Sequence, residues 1–333
     1  MLRLPFDHIR STLIRLFLKY GFAQSKAERL STTFTESTLY GVNSHGVNRV
    51  GQFIDYINKG VIDIHADPEC VQSMGSIERW EGHSGPGILN AIHCTERAVA
   101  LAKQHGMGLV ALRNTNHWMR GGSYGRLAAD KGCLSILFTN TLENMPPWGG
   151  KESRVGNNPL VIGIPRAEGH VVLDMAMSLF SYGKMNNHIL KGESLPFPGG
   201  WDENDELTTD PEAIFRTERA LPMGYWKGSA LSMVLDMLAT LLSAGNSTAA
   251  VSKHAIETKI SQVFFCIDQN TLGDQDMQER LLAEIINYTK EVSLLDEDQP
   301  ILYPGERSAR LAQINRKEGI PVDETVWNHI LTL

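Results

Sequence analysis

Through roughly the first sixty residues the apolar positions recur at the spacing of amphipathic helices rather than alternating. Ser25-Lys-Ala-Glu28 has the spacing of a capping box, and an apolar-periodic stretch follows it to about Tyr40. A further helix is predicted from Asn43-Ser44 to Lys59, with Ser44 as its N-cap and Gly60 as its stop. The middle of the chain changes character. Short β-rich runs occur at Gly108–Arg113, Leu134–Thr139, Leu160–Pro165, Val171–Asp174 and Val263–Ile267, with helical periodicity over Leu89–Gln104 and Gly122–Lys131. From Lys184 to Pro211 the chain is polar and rich in Gly, Pro and Asp, the composition of a long functional loop or lid. Gly228–Ser243 is apolar almost all round and is predicted to be a buried helix. Helices are predicted again over Met277–Lys290, Arg307–Lys317 and Val322–Leu331, the last capped by Asp323. Helices at both ends around a mixed α/β centre suggest one helical unit built from the two chain ends.

Composition narrows the partners. The 333 residues are 42% hydrophobic and 21% charged, an ordinary globular balance. A net charge of −7 with no long Lys/Arg run argues against nucleic acid as a partner. Four widely spaced cysteines, Cys70, Cys94, Cys133 and Cys266, form no CxxC, and three of them fall in stretches that read as buried, where a thiol acts as a small apolar residue. No secretory leader is expected at the N-terminus, and no apolar run is long enough to span a bilayer, so a cytoplasmic protein without a membrane partner is expected.

The usual nucleotide and hydrolase motifs are missing. The single G-x-G-x-x-A match, Gly106-Met-Gly108-Leu-Val-Ala111, lies after a helix and before a strand. A phosphate needs the amides of a helix N-terminus, so this reads as a helix C-cap. There is no P-loop, no HExxH, no G-x-S-x-G, and no paired histidine spacing that would hold a metal.

Four other segments carry candidate chemistry. In Asn43-Ser-His-Gly-Val-Asn-Arg49, a helix starting at Ser44 would place His45 and Arg49 on one face, away from Val47, Val50, Ile54 and Ile57. A guanidinium that clamps a carboxylate beside an imidazole that protonates a nascent alkoxide is what reduction of a 2-oxo acid needs. A merely solvated helix face has the same spacing. The positive end of a helix would also lower the histidine pKa, so a nearby carboxylate would have to offset it. Asn114-Thr-Asn-His-Trp-Met-Arg-Gly-Gly122 follows a strand and can line a site or form a polar turn. The amide- and Pro-rich segment 139–159 can shape a pocket or serve as a rigid connector. Lys227, before the apolar helix, can meet a pyrophosphate with Trp226 against a ring, or the segment can be a turn and cap.

Taken together these segments resemble the type-2 malate/L-lactate dehydrogenase family. The resemblance rests on Ser44-His45-Gly46-Val47, Asn114-Thr-Asn116-His117, Pro147-Trp-Gly-Gly-Lys151 with Asn158-Pro159, Leu173-Asp174-Met175-Ala176, Thr208-Thr-Asp-Pro211, Lys227-Gly228 and Pro304-Gly305-Glu306, in the family's order. It implies an α+β homodimer: a non-Rossmann mixed α/β domain for the dinucleotide over 76–289, beside a helical domain over 1–75 completed by 290–333. It implies a nicotinamide cofactor, NADH or NADPH, and a proton donor at His45. Ser44, Arg49, His117 and Asp174 would surround the reacting centre. Cofactor contacts would fall on His170, Val171, Val172, Leu173, Asp174, Met175 and Ala176, on Trp226 and Lys227, and on Gly305, Glu306 and Arg307. Met145-Pro-Pro-Trp148 and Leu221-Pro-Met-Gly-Tyr-Trp-Lys-Gly228 are most similar to a subgroup that reduces a diketo sugar acid at C2. Trp226 stands where most of the family has no tryptophan, which argues against plain malate or lactate, and Arg307 bears on a cofactor 2′-phosphate. The alternatives are the same chemistry on malate, lactate, ureidoglycolate or a cyclic imine, and, from other classes, a non-catalytic sugar-acid binder or a metal-dependent lyase.

Overall fold

The computed structural model describes residues 1–333. Its centre is a seven-stranded mixed sheet, ordered Glu69–Met74, Ile77–Glu81, Met107–Thr115, Ile260–Asp268, Cys133–Thr139, Leu160–Ile164, Val171–Met175. Only Ile77–Glu81 and Met107–Thr115 run parallel, and the helix Gly87–His105 makes the crossover that a parallel pair requires. That helix ends at Gly106 with φ +86, so the G-x-G match is a C-cap. The late strand Ile260–Asp268 is inserted between strands formed much earlier in the chain.

Alternation along these central strands divides the interior. Val110, Leu112, Phe264 and Cys266 pack with the helix Gly87–His105 and with Tyr124 and Ala128 of the helix Gly122–Asp130. Ala111 and Val263 point the other way, towards Met177, Phe180, Leu235 and Ala239. A third apolar cluster lies among the helices of the two chain ends. Phe17, Phe34 and Phe53 meet Ala312, Trp327 and Ile330 there, and Leu2–Leu4 pairs antiparallel with Ile320–Val322.

Several expectations are corrected. The Ser25–Glu28 capping box does not form, since the helix is Gln24–Leu39 and Ala23 caps it without a side-chain bond. The segment 184–211 is not one loop. It opens with the helix Tyr182–Lys191, capped by Ser181, and later pairs Gly200–Trp201 with Leu207–Thr208. Local polarity hid that helix because only Met185 of its residues is buried. The helix Trp226–Ser243 is not buried all round. It turns Gly228, Ser229, Ser232 and Ala239 inward, where Asn158 Nδ2 donates to Ser232 O at 2.9 Å. Small residues allow that close approach to the sheet, and Met233, Met237 and Leu241 are left exposed.

Candidate active site at the junction of two histidines

The site begins with a break in a helix. Asn43–His45 and Val47–Arg49 are separate 3-10 turns, and the α-helix starts only at Val50. Gly46, at φ −109 and ψ −137, divides them. A Cβ at Gly46 would stand 2.1 Å from Thr38 Oγ1, so only glycine lets this turn press on the helix Gln24–Leu39. Thr38 Oγ1 then accepts the Val47 N–H at 2.8 Å. The i,i+4 helical face expected for His45 and Arg49 therefore does not exist. Tertiary packing, not helical periodicity, brings them to one cavity.

Ser44 Oγ lies 3.0 Å from His45 Nδ1. The His45 and His117 rings stack with centroids 5.6 Å apart and planes inclined by 20°. His117 follows the strand Met107–Thr115, and its Nδ1 accepts the Met119 N–H at 2.9 Å. That bond leaves the proton of the neutral ring on Nε2. Both imidazoles are held in the neutral form. Burial, then the Arg49 and Arg120 charges, lower His45 to about 4. Burial, then His45 and Arg49, hold His117 well below the usual histidine range.

Two cavities meet at this pair. The first, about 390 Å³, is walled by Val172, Leu173, Asp174, Ala176, Pro304 and Gly305 beside Ser44, His45 and His117. The second, about 370 Å³, adds Arg49, Tyr56, Tyr182 and Glu257 to the same Ser44, His45 and His117. Arg49 makes no salt bridge within the chain. Asp174 presents an accessible carboxylate to the first cavity. Burial pushes its carboxyl up, against the Gly122 N–H donated at 2.7 Å and the Arg120 charge. The start of the helix Tyr182–Lys191 covers the junction, and a Cβ at Gly183 would come within 2.7 Å of Ser44 Cβ.

The five expected catalytic residues thus surround one junction. The expected cofactor residues divide. Val172, Leu173, Asp174, Ala176 and Gly305 line the first cavity. His170 is turned away, with Nε2 3.0 Å from Asp130 and Nδ1 accepting the Arg166 N–H. Strand alternation sends Val171 to an apolar groove shared with Ile285 and Ile301, and Met175 packs in the core. Glu306 faces inward, bonded to Lys290 and Arg310 and accepting the Tyr303 N–H, so it braces the Pro304–Gly305 turn. Arg307 is exposed, and Trp226 is 61% exposed. Trp226 and Lys227 do not line the cavity, although their turn is tied beside it by the Met223 N–H donated to Met177 O at 2.7 Å. Sequence reasoning missed Glu257, Thr141, Asn157 and Ser181 as wall residues. The amides of 139–159 were the signal for two of them, while a solitary glutamate in a polar turn gives none.

The sequence pattern of the malate/L-lactate dehydrogenase family matches residues 4–331. The chain belongs to that family. A 2,3-diketo-L-gulonate reductase of Haemophilus influenzae is 44% identical over 333 residues, covering 100% of each chain. One of Klebsiella pneumoniae is 43% identical over the same full length. Among solved structures, malate dehydrogenase from Pyrococcus horikoshii superposes with a TM-score of 0.90 at 26% identity, covering 99% of this chain and 95% of that one. This dehydrogenase is therefore an oxidoreductase, and its family implies a nicotinamide cofactor. No helix of this family member is long and apolar enough to cross a membrane.

The first cavity fits such a cofactor. Arg120 lines it, and its Nε is buried without an intramolecular partner, a donor suited to an amide or anionic oxygen. Gly305, at φ +94, lies so near the Val171–Met175 strand that a Cβ would be 3.1 Å from Val172 N. A bare backbone edge of this kind permits close approach by a flat ring.

Proposed function

We propose that this dehydrogenase reduces the C2 carbonyl of 2,3-diketo-L-gulonate to 3-dehydro-L-gulonate. The observation that carries this reading is the meeting of two cavities at His45 and His117, with Asp174 on one side and the unpaired Arg49 on the other. Val172, Leu173, Ala176, Gly305 and Arg120 would hold a reduced nicotinamide, which when bound would supply the hydride. Arg49 holds the substrate carboxylate, because a guanidinium and a carboxylate form two parallel hydrogen bonds. His117 donates its Nε2–H to a substrate oxygen and fixes the carbonyl. His45 delivers the proton that the new alkoxide needs, and Ser44 Oγ orients its ring through Nδ1. The carboxylate resting on Arg49 neutralises one of the charges that keep His45 deprotonated, so substrate binding itself loads the acid. Asp174 carries a raised carboxyl beside the same centre and keeps the Gly121–Gly122 turn in place.

The near-identical length and the 43–44% identity to diketogulonate reductases support the substrate. NADH is the preferred carrier, with NADPH the alternative that Arg307 would favour. We further infer a cytoplasmic homodimer, for which the exposed apolar face of Met233, Met237 and Leu241 is suitable. The test follows nicotinamide absorbance with purified protein and 2,3-diketo-L-gulonate, with NADH and NADPH in parallel. Oxidation that His45→Ala abolishes, with cofactor binding retained, is expected. Full turnover by His45→Ala overturns the acid assignment, and no oxidation with either carrier overturns the substrate.

A further inference from the structure

Glu257 belongs to the polar turn between the short helix Thr248–Val251 and the strand Ile260–Asp268. One carboxyl oxygen accepts the Leu142 N–H at 3.1 Å. The other has no hydrogen-bond partner in the chain, and the residue lines the second cavity with Arg49 and His117. Glu143 and Glu218 also border that cavity, so three glutamates and one arginine set its charge. Such a wall has room for one carboxylate, at Arg49, and the rest of it calls for hydroxyl groups, which donate to carboxyl oxygens.

We propose that Glu257 determines substrate specificity: it accepts a hydrogen bond from a hydroxyl at the far end of a 2-oxo monocarboxylate anchored on Arg49, and it rejects a second carboxylate there. This rests on the reading above that the cavity takes a 2-oxo acid. Glu257 is half-buried in the cavity wall, and burial pushes its carboxyl up, against the pull of the Leu142 N–H and the Arg49 charge. A second carboxylate would either face a like charge at close range or force Glu257 to take up a proton, and a hydroxyl meets neither cost. Glu257 would thereby separate sugar acids from dicarboxylates such as oxaloacetate.

The experiment compares two substrates that differ in one group, 2-oxo-4-hydroxybutanoate and oxaloacetate, which carry CH2OH and a carboxylate at the far end. Initial rates with NADH and NADPH in parallel are measured for the native enzyme, Glu257→Gln and Glu257→Asp. The native enzyme is expected to favour the hydroxy compound in kcat/KM. Glu257→Gln, which keeps an acceptor for Leu142, is expected to cut that preference at least tenfold, chiefly through KM. Glu257→Asp keeps the charge and the order of preference. Glu257→Ala gives the same loss as Gln and replaces it if the Gln chain is unstable. A native preference for oxaloacetate, or an unchanged ratio in Glu257→Gln, overturns the role of Glu257 while reduction of either substrate leaves the 2-oxo acid reading intact. No oxidation of NADH or NADPH with these substrates or with 2,3-diketo-L-gulonate overturns that reading and this proposal together.

Discussion

The neutral state of His45 makes the direction of catalysis depend on pH in a specific way. Its imidazole is lowered from 6.5 to about 4 by burial, Arg49 and Arg120. That difference corresponds to roughly 3 kcal/mol, or a few-hundredfold bias against the imidazolium in the free enzyme. Reduction needs the protonated ring and oxidation of the product needs the neutral one. Because kcat/KM reports the free enzyme, the reductive value should fall about tenfold per pH unit at pH values above His45 titration. The oxidative value should stay level over the same range. The turnover number reports the complex, in which a carboxylate has covered the Arg49 charge, so its break should lie at higher pH than about 4. Initial rates in both directions across the stable pH range, with buffers of constant ionic strength, check this. Other titratable groups face the same space: His117, held neutral, and Asp174 and Glu257, both raised by burial. Asp174→Asn and Glu257→Gln should leave the slope in place, while His45→Ala should show no reductive turnover at any pH in the range. A reductive kcat/KM that is flat to neutrality and breaks once near pH 7 would refute the account, since it would mean that burial and two arginines do not shift His45.

Two further substitutions test the packing that holds the site. Gly183→Ala adds a Cβ 2.7 Å from Ser44 Cβ and 3.0 Å from its Oγ. The displaced serine should cost about 10- to 100-fold in kcat, with the thermal midpoint little changed, and a normal kcat would show that Ser44 need not orient His45. Gly163→Ala places a Cβ 2.5 Å from Gly125 O and 2.7 Å from Ser135 Oγ, between the helix Gly122–Asp130 and the sheet. Backbone cannot yield as a flexible side chain does, so denaturant unfolding should show a loss of about 1–3 kcal/mol or more, and native stability would refute the tight helix–sheet contact.

Periodicity in the chain determined most of the elements of this family member. The strands around Gly108–Arg113, Leu134–Thr139 and Val263–Ile267 and the helix around Leu89–Gln104 carry strong repeats because each buries at least one face, and burial leaves its period in the sequence. The N-cap Asp323 was legible for a related reason, since its side chain accepts from Thr325 and Val326 within its own turn. The strands Glu69–Met74 and Ile77–Glu81 were not, because the first is an edge strand exposed throughout and the second buries only Glu78. The helix Tyr182–Lys191 was hidden by having one buried residue.

At the site the division is sharper. Motif residues named Ser44, His45, Arg49, His117 and Asp174, but they could not say how these meet. Tertiary structure decided that His45 and Arg49 share a cavity through two short turns divided at Gly46 rather than a helical face, because Thr38 fills the space that a Cβ would need. It decided which nitrogen of His117 carries the proton, since the Met119 N–H is brought onto Nδ1. It turned His170 and Glu306 away from the cavity that their neighbours line, and it carried Glu257, more than two hundred residues beyond Arg49, to the same wall. Local sequence encodes burial and turn chemistry, which act over a few residues. The field around a histidine is summed over groups from distant segments, and only the folded chain brings those groups within reach of one another.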